Sequence, residues 1–346
     1  MDSGCYRPEC LGIVYCSTTV TPPGRENETL SDGEIVESAL EIKAVLEESG
    51  YSAEIVDLGK DRISSLRKFD WIFNLAETIA GFPLADFEVT GMMEAMGLLF
   101  TGSSSATLED CLDKPTAKSI MRQSGILTPE YEVIDPGCKV ITSLDFPLIV
   151  KPVHEDGGVG IFDDSIVSTP DELERRVDRI HNIFSQAALV EEFIDGRDFK
   201  ASILGNGERI EVMPISECIY LDPGETKILT FDANWVESTR AYQTVYTRCP
   251  CEIEETIAQN LASIAIDVYN LMNCRDYARI DFRLKEKTPY VLEVNPNPCI
   301  NPSGSGFVTA CKAVGLSYAD IINRILQSSI KNSQVSPIPE FLEESL

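Results

Sequence analysis

The chain has 346 residues, of which 43% are hydrophobic and 25% charged, as expected for a globular protein of two or three domains. No apolar run approaches the roughly 18 residues that a membrane span needs. The net charge of −27 at pH 7 argues against a nucleic-acid-binding surface, because such surfaces depend on lysine and arginine contacts with phosphates. The N-terminus resembles no signal peptide and the cysteines number eleven, so we expect a cytoplasmic protein with reduced thiols.

The first hundred residues alternate strands with helices, which is typical of a parallel sheet covered by helices. A capping box of Ser31 and Glu34 predicts the start of the first helix, and Gly50 its end. The second helix is predicted at 88–96. The predicted strands are 11–16, 53–58, 70–75 and 98–101.

Further elements follow in the remaining two thirds of the chain. Thr169, Pro170 and Glu172 occupy the N-cap, N1 and N3 positions of a predicted helix that runs to about Phe184. The other predicted helices are 112–124, 254–272, 306–314 and 318–330. The other predicted strands are 131–134, 146–153, 188–194, 198–204 and 209–215. Residues 221–248 show no clear period, and a loop of that length is often functional.

The segment from Arg279 to Asn297 carries the strongest chemical signal. If it forms a hairpin centred near Lys287, Asp281 lies opposite Glu293 and Arg279 lies opposite Asn295. Strand alternation then places all four side chains on one face. Two carboxylates and an amide oxygen suit Mg²⁺ bound together with phosphate. The alternative is a surface ladder of salt bridges with Arg279 and Arg283.

A second signal is Lys151, which ends an apolar strand and precedes Gly157, Gly158 and Gly160. Glycines allow backbone N–H groups to approach phosphate oxygens closely, whereas the plain alternative is a surface lysine before a turn. Neither a P-loop nor a Rossmann glycine motif is present.

The order of these segments resembles the ATP-grasp superfamily, and most of all the D-alanine–D-alanine ligase group, over roughly residues 10–330. The quoted motifs are PheAsnLeuAlaGlu at 73–77, PheThrGlySer at 100–103, LeuAspLysProThrAlaLys at 112–118, PheProLeuIleValLysPro at 146–152, GluGluPheIleAspGlyArgAspPhe at 191–199, and the two strands of the hairpin. The resemblance implies an α/β fold, α+β in its C-terminal half, with ATP between the central and C-terminal domains. The implied domains are 1–101, 102–188 and 189–330, followed by a flexible tail at 331–346.

The resemblance also implies roles for individual residues. Arg279, Cys299 and Gly157 would lie at the reacting centre, with Arg279 and the Cys299 N–H stabilising the tetrahedral intermediate. Asp281, Glu293 and Asn295 would hold two Mg²⁺ ions, with Mn²⁺ as an alternative. The implied ATP-binding residues are Lys114, Lys151, Glu155, Gly157, Gly158, Gly160, Glu191, Glu192, Phe193, Ile194 and Asp198. The implied substrate-binding residues are Asn301, Ser303, Gly304 and Ser305.

The amino-acid half of the site departs from the family pattern. Gly157 replaces a loop serine, and Asn234 and Trp235 stand where lysine and tyrosine are expected. The family's GluXaaValSer element is not clear, since Glu34 and Glu37 are only neighbours of it.

The leading hypothesis is therefore an ATP-dependent carboxylate–amine ligase for two small amino-acid-like substrates. The alternatives are a true D-alanine–D-alanine ligase and a nucleotide-binding protein without ligase activity. The expected partners are small amino-acid-like molecules. We expect binding to neither nucleic acid nor membrane, and a homodimer is the one assembly considered.

Overall fold

The computed structural model describes residues 7–17, 30–76, 85–222 and 227–335. The strands are β1 Cys10–Tyr15, β2 Ser52–Asp57, β3 Trp71–Asn74, β4 Tyr131–Ile134, β5 Leu148–Pro152, β6 Ile166–Val167, β7 Ala188–Glu192, β8 Arg197–Leu204, β9 Glu211–Val212, β10 Ser216–Tyr220, β11 Val245–Arg248, β12 Tyr277–Lys285 and β13 Thr288–Asn295. The α-helices are α1 Leu30–Glu48, α2 Ala85–Ala95, α3 Ser105–Leu112, α4 Lys114–Gln123, α5 Pro170–Phe184, α6 Phe231–Trp235, α7 Arg240–Gln243, α8 Glu255–Leu271, α9 Gly306–Ala313 and α10 Tyr318–Val335.

The N-terminal sheet is parallel, with β1 between β2 and β3. Its central strand is apolar throughout because neighbouring side chains point to opposite faces and both faces are covered. Ile13 packs into a core that includes residues of α1, α9 and α10, whereas Val14 packs into a second core with residues of α2. The N-terminal sheet therefore depends on helices from the far end of the chain.

Two antiparallel sheets follow. The four-stranded sheet has the order β4–β7–β5–β6 and packs against α5, whose N-cap Thr169 accepts a hydrogen bond from the Glu172 N–H at 3.3 Å, as predicted. The six-stranded sheet has the order β11–β10–β8–β12–β13, with β9 also paired to β8, and it packs against α8. The β12–β13 hairpin thus lies at one edge of the six-stranded sheet, next to β8.

Several element predictions were wrong in detail. Residues 98–101 contribute only one isolated bridge, Phe100 to Ile72, and the predicted strand 209–215 reduces to β9. A separate helix, α3, precedes α4, and Asp113 between them is the N-cap of α4, accepting from the Thr116 N–H at 2.9 Å. The aperiodic segment 221–248 contains α6, α7 and β11.

Both ends of the chain also differ from prediction. Leu30 is already helical, although the side chains of the proposed capping box, Ser31 and Glu34, lie outside those described. The tail expected from residue 331 is helical as far as Val335. In the described ranges no helix is both long enough and apolar enough to cross a membrane. The domain boundaries stay a prediction.

Candidate active site

A cavity of about 630 Å³ is lined by residues of the four-stranded and six-stranded sheets. The candidate residues on its wall are Lys151, Gly157, Gly158, Glu191, Glu192, Phe193, Ile194, Asp198, Arg279, Asp281, Glu293, Asn295, Cys299, Gly304 and Ser305. The candidate residues that do not line the cavity are Lys114, Glu155, Gly160, Asn301 and Ser303. Segments far apart in sequence therefore converge on one space, whose volume is in the range of ligand sites.

The hairpin pairs its four polar residues as the sequence predicts. Arg279 lies opposite Asn295, and Asp281 lies opposite Glu293. Opposite residues of an antiparallel pair share a face, so the four side chains lie together on the sheet. Their alignment makes one polar platform on the cavity wall.

A β-bulge sets this register. Near the turn Lys285 pairs with Thr288 and Phe282 pairs with Val291, whereas Asp281 pairs with Glu293, so Leu292 is the extra residue. The turn consists of two residues, Glu286 and Lys287, whereas a hairpin centred on Lys287 would need a turn of three. The extra residue of the bulge compensates for this difference.

The platform carboxylates have cationic partners. The Arg279 guanidinium contacts both Asp281 oxygens, with Nε to Oδ1 at 2.7 Å and the second nitrogen to Oδ2 at 2.9 Å. The Lys114 Nζ lies 3.4 Å from a Glu293 oxygen. Although burial opposes it, the charges of Asp281 and Glu293 raise the pKa of Arg279.

The donor set of the platform fits a hard cation such as Mg²⁺. Two carboxylates and one amide can provide oxygen ligands, and among the described residues the buried Asn295 Nδ2 has no hydrogen-bond partner. No group of three His, Cys, Asp or Glu side chains suited to a metal occurs in the described ranges.

Glu191 lies at the centre of a buried cluster that also contains Lys118 and Lys151. Its two oxygens lie 2.5 Å from the Lys118 Nζ and 2.6 Å from the Lys151 Nζ. Burial would raise the pKa of Glu191, but the two lysines lower it. Burial lowers the pKa of Lys118 to about 8 despite the attraction of Glu191. The Glu191 carboxylate, one of the implied ATP-binding residues, is therefore held by two lysines.

Lys118 is the residue that sequence reasoning missed in this cluster. It is 1% exposed, and its Nζ also contacts the Thr128 hydroxyl at 2.7 Å. The quoted segment 112–118 ends on this lysine, but nothing in one sequence distinguishes a buried lysine of an amphipathic helix from an exposed one.

The glycine loop lies next to α6. Gly157, Gly158 and Gly160 all have positive φ, at 56°, 84° and 72°, where residues with a side chain are strained. The Gly157 carbonyl accepts hydrogen bonds from the Asn234 Nδ2 at 3.1 Å and the Trp235 Nε1 at 2.8 Å. Asn234 and Trp235, which the resemblance places where lysine and tyrosine are expected, thus contact the loop directly.

Two other members of the loop segment, Glu155 and Gly160, do not line the cavity. The Glu155 side chain is buried and accepts from the Gln186 amide at 2.8 Å, while the Glu155 carbonyl accepts from Lys114. A side chain at Gly160 would lie 2.4 Å from the Pro152 ring. These residues form the base of the loop and are not on the cavity wall.

One part of the cavity wall contains Phe193, Ile194 and Asp198. Asp198 accepts from the Tyr220 hydroxyl at 2.5 Å and forms an ion pair with Arg283. Burial and then the charge of Asp198 raise the pKa of Tyr220. The Arg283 guanidinium lies 5.3 Å from the centre of the Phe193 ring. This part of the wall therefore combines an aromatic ring with a carboxylate held by two partners.

Another part of the cavity wall is formed by the turn between β13 and α9. Asn301 is 2% exposed, and its Oδ1 accepts from the Ser303 N–H at 2.7 Å, so it shapes the turn from behind. Its amide nitrogen also lies 3.4 Å from Glu37 of α1. Gly304 and Ser305 are on the wall beside Cys299. Glu37, one of the two acids named beside the unclear family element, thus reaches this turn, whereas the side chain of Glu34 lies outside those described.

Two further acids on the wall, Asp86 and Asp156, had no signal in the sequence. Asp86 lies in the first turn of α2 and Asp156 in the glycine loop. Burial, followed by the charge of Asp156, raises the pKa of Asp86 to about 7. Neither aspartate could be recognised from a sequence motif, because isolated aspartates are usually surface residues.

Comparison with known proteins gives consistent matches. The family model described as D-ala D-ala ligase C-terminus matches residues 121–327. An uncharacterised protein, y4sG of Sinorhizobium fredii, is 35% identical over 305 residues, covering 85% of this chain and 87% of its own. A D-alanine–D-alanine ligase of Bordetella petrii is 29% identical over 81% of this chain and 83% of its own.

The fold matches in the same way. The crystal structure of a Bacillus anthracis D-alanine–D-alanine ligase complexed with ATP superposes with a TM-score of 0.75 at 21% identity, over 94% of this chain and 99% of the other. The ATP-grasp fold class expected from the sequence is confirmed.

Proposed function

Because this chain belongs to the D-alanine–D-alanine ligase family, whose members are ATP-dependent enzymes that form a peptide bond, we propose that it joins two small amino-acid-like substrates through an acyl phosphate. The observation that carries the proposal is the polar platform of Asp281, Glu293 and Asn295 beside Lys151 and the glycine loop on one cavity wall. A surface ladder of salt bridges would not line a cavity.

ATP would lie along the cavity with its base near Phe193 and Ile194. Asp198, held by Tyr220 and Arg283, would accept hydrogen bonds from the ribose hydroxyls. Lys151 and the N–H groups of the glycine loop would contact the phosphates. Glu191 would act by orienting Lys151, since its oxygens are held by two lysines.

Asp281, Glu293 and Asn295 would hold Mg²⁺ with oxygens of the triphosphate completing the coordination. The bound ion would supply electrophilic polarisation of the phosphoryl oxygens. Arg279 and Lys114 neutralise the two carboxylates in the protein alone, which otherwise would repel each other across the hairpin.

The chemistry would proceed in two steps. An oxygen of the first substrate's carboxylate attacks the γ-phosphorus of ATP, so that ADP leaves and an acyl phosphate forms. The neutral amine of the second substrate then attacks the carbonyl carbon, and phosphate leaves with the bonding electrons as the amine nitrogen loses a proton. Arg279 and the Cys299 N–H would stabilise the oxyanion, an electrostatic contribution that is usually large in such reactions.

The substrate-binding half supports substrates other than two D-alanines. Gly157 provides no hydroxyl, and Asn234 and Trp235 are engaged with the loop carbonyl. The Gly304–Ser305 segment beside Cys299 would hold the acceptor carboxylate through backbone N–H groups. A specialised dipeptide or amide ligase therefore fits this site better than a cell-wall ligase.

The proposal is tested by incubating the protein with ATP, Mg²⁺ and separate pools of D- and L-amino acids. ADP and phosphate release are measured, and new masses identify the product. We expect ADP, phosphate and a condensed product with at least one pool. Product from D-alanine alone would assign the narrower cell-wall activity, and ATP binding without ADP in any pool would leave only a nucleotide-binding protein.

A further inference from the structure

The glycine loop and α6 are joined by three hydrogen bonds. Two come from the side chains of Asn234 and Trp235 to the Gly157 carbonyl, and the third runs from the Phe231 N–H to the Ile161 carbonyl at 3.1 Å. The helix is itself capped by Thr230, whose hydroxyl accepts from the Ala233 N–H at 3.1 Å. The loop is therefore attached to α6 near both ends.

The close approach also explains why a second glycine follows. A Cβ at Gly158 would lie 2.9 Å from the Asn234 Nδ2 and 3.2 Å from the Phe231 nitrogen. Such distances, together with a φ of 84°, leave room only for glycine. At Gly157 the Trp235 ring would be in ordinary contact, 3.6 Å from a Cβ.

The two side-chain donors fix the orientation of one peptide group. The carbonyl of Gly157 and the N–H of Gly158 belong to the same trans peptide, so they point in opposite directions. With the carbonyl directed at Asn234 and Trp235, the Gly158 N–H points away from these side chains. This N–H has no acceptor among the residues that the structure describes.

We propose that Asn234 and Trp235 are positioning residues that aim the Gly158 N–H at a phosphate oxygen of the bound nucleotide. The inference rests on the proposed function and adds to it a role for the two residues that depart from the family pattern. A carbonyl bound by two donors cannot rotate without losing both hydrogen bonds, so the donor is fixed before the ligand arrives. The phosphate is the ligand because Lys151 lies on the same wall.

The test compares ATP·Mg²⁺ with adenosine, which has the same base and ribose but no phosphate. Binding is measured by calorimetry for wild type, Trp235→Phe, Asn234→Leu and the double variant. Trp235→Phe keeps an aromatic ring and removes only the indole donor. Gln243→Leu is the matched control, because it removes an exposed amide donor to the Glu237 carbonyl in the same segment.

We expect each single variant to weaken ATP binding about 5-fold, the value of one neutral hydrogen bond, and the double variant to weaken it more. Adenosine binding should stay within a factor of two, and Gln243→Leu should match wild type for both ligands. Variants that bind ATP like wild type, or that lose adenosine binding as strongly as ATP binding, would overturn the inference alone. A wild-type protein that binds no ATP would overturn the proposed function as well.

Discussion

Glu293 is the residue on which the proposed metal site depends most directly, because Asp281 is already held by two nitrogens of Arg279. We expect Glu293→Gln to lower Mg²⁺-dependent turnover by on the order of 100-fold, since even outer-shell partners of a metal are worth about 10- to 100-fold. The measurement is ADP release over a range of Mg²⁺ concentrations, which should also show a weaker apparent affinity for the ion.

A matched control lies near the opposite end of the hairpin. Glu254 accepts from Lys287 in an exposed ion pair, with one distance of 2.9 Å. Glu254→Gln makes the same chemical change outside the cavity and should leave turnover unchanged. Near wild-type turnover of Glu293→Gln would remove that residue from the metal site.

Lys118 gives a prediction for stability. Lys118→Met removes one of the two cations on buried Glu191, while Lys151 stays in place. Breaking a buried ion pair costs about 3–5 kcal/mol. We therefore expect the free energy of unfolding to fall by about 3 kcal/mol, the lower end of that range. Urea denaturation measures it.

Arg122 provides the comparison because it is one turn along the same helix and pairs with Glu130 at the surface, at 2.7 Å. Arg122→Met should change the free energy of unfolding by less than about 0.5 kcal/mol. Equal effects of the two substitutions would mean that the Lys118 pair adds no more than a surface contact.

At the scale of elements, the bulge at Leu292 sets which side chains face the cavity. One alanine inserted after Leu292 should turn Glu293 and Asn295 to the core face, because a shift of one residue exchanges the faces of a strand. We expect turnover to be lost and the free energy of unfolding to fall. Activity assays and urea denaturation measure both.

A glycine inserted between Glu286 and Lys287 is the corresponding control. It lengthens the two-residue turn but leaves the paired positions unchanged, and such loops accept insertions at small cost. Equal loss of turnover in both insertions would show that the hairpin is intolerant as a whole and that the bulge has no special role.

The hairpin also shows what sequence can and cannot supply. The alternation of side chains along each strand correctly predicted that Asp281 lies opposite Glu293 and on the same face of the sheet. The shorter turn and the compensating bulge could not be read, since their effects on the register cancel. At α3 and α4 a usable signal was overlooked: Asp113 with Pro115 has the composition of a helix start.

Contacts across the fold were harder to foresee than local structure. The partners of Gly157 are about 77 residues away in sequence, and only the fold brings Asn234 and Trp235 to it. Likewise the lysines around Glu191 come from α4 and β5. Periodicity identifies elements, whereas the pairing of buried charges depends on the packing of those elements.

At the scale of the whole molecule, Asp276 joins distant segments. Its two oxygens accept from the Gly102 N–H at 2.8 Å and the Asn206 amide at 2.7 Å, and the side chain is fully buried. Burial raises its pKa from 3.8 to about 6, although these hydrogen bonds oppose the rise. The native state therefore holds this proton to higher pH than the unfolded chain does.

The stability that this proton provides is present in full below about pH 4 and is lost as the pH rises through 6. We expect the unfolding free energy of wild type minus that of Asp276→Asn to fall by about 2 kcal/mol between pH 4 and 7. Denaturation at a series of pH values measures it, and a difference independent of pH would contradict it.

Asp320→Asn serves as the control of sign. Hydrogen bonds from Ser317 lower the pKa of this exposed carboxyl, so its contribution is present at neutral pH and is lost as the pH falls. The difference in unfolding free energy between wild type and variant should therefore fall with rising pH for Asp276→Asn and increase with rising pH for Asp320→Asn.

The first sheet shares its core with α9 and α10, which has a consequence during synthesis. Strands β1 to β3 leave the ribosome long before the helix that ends at Val335, roughly 15–50 seconds earlier at ordinary elongation rates. In that interval one apolar face of the sheet lacks its final cover and is open to chaperones. A nascent chain that stops before α10 keeps this face exposed.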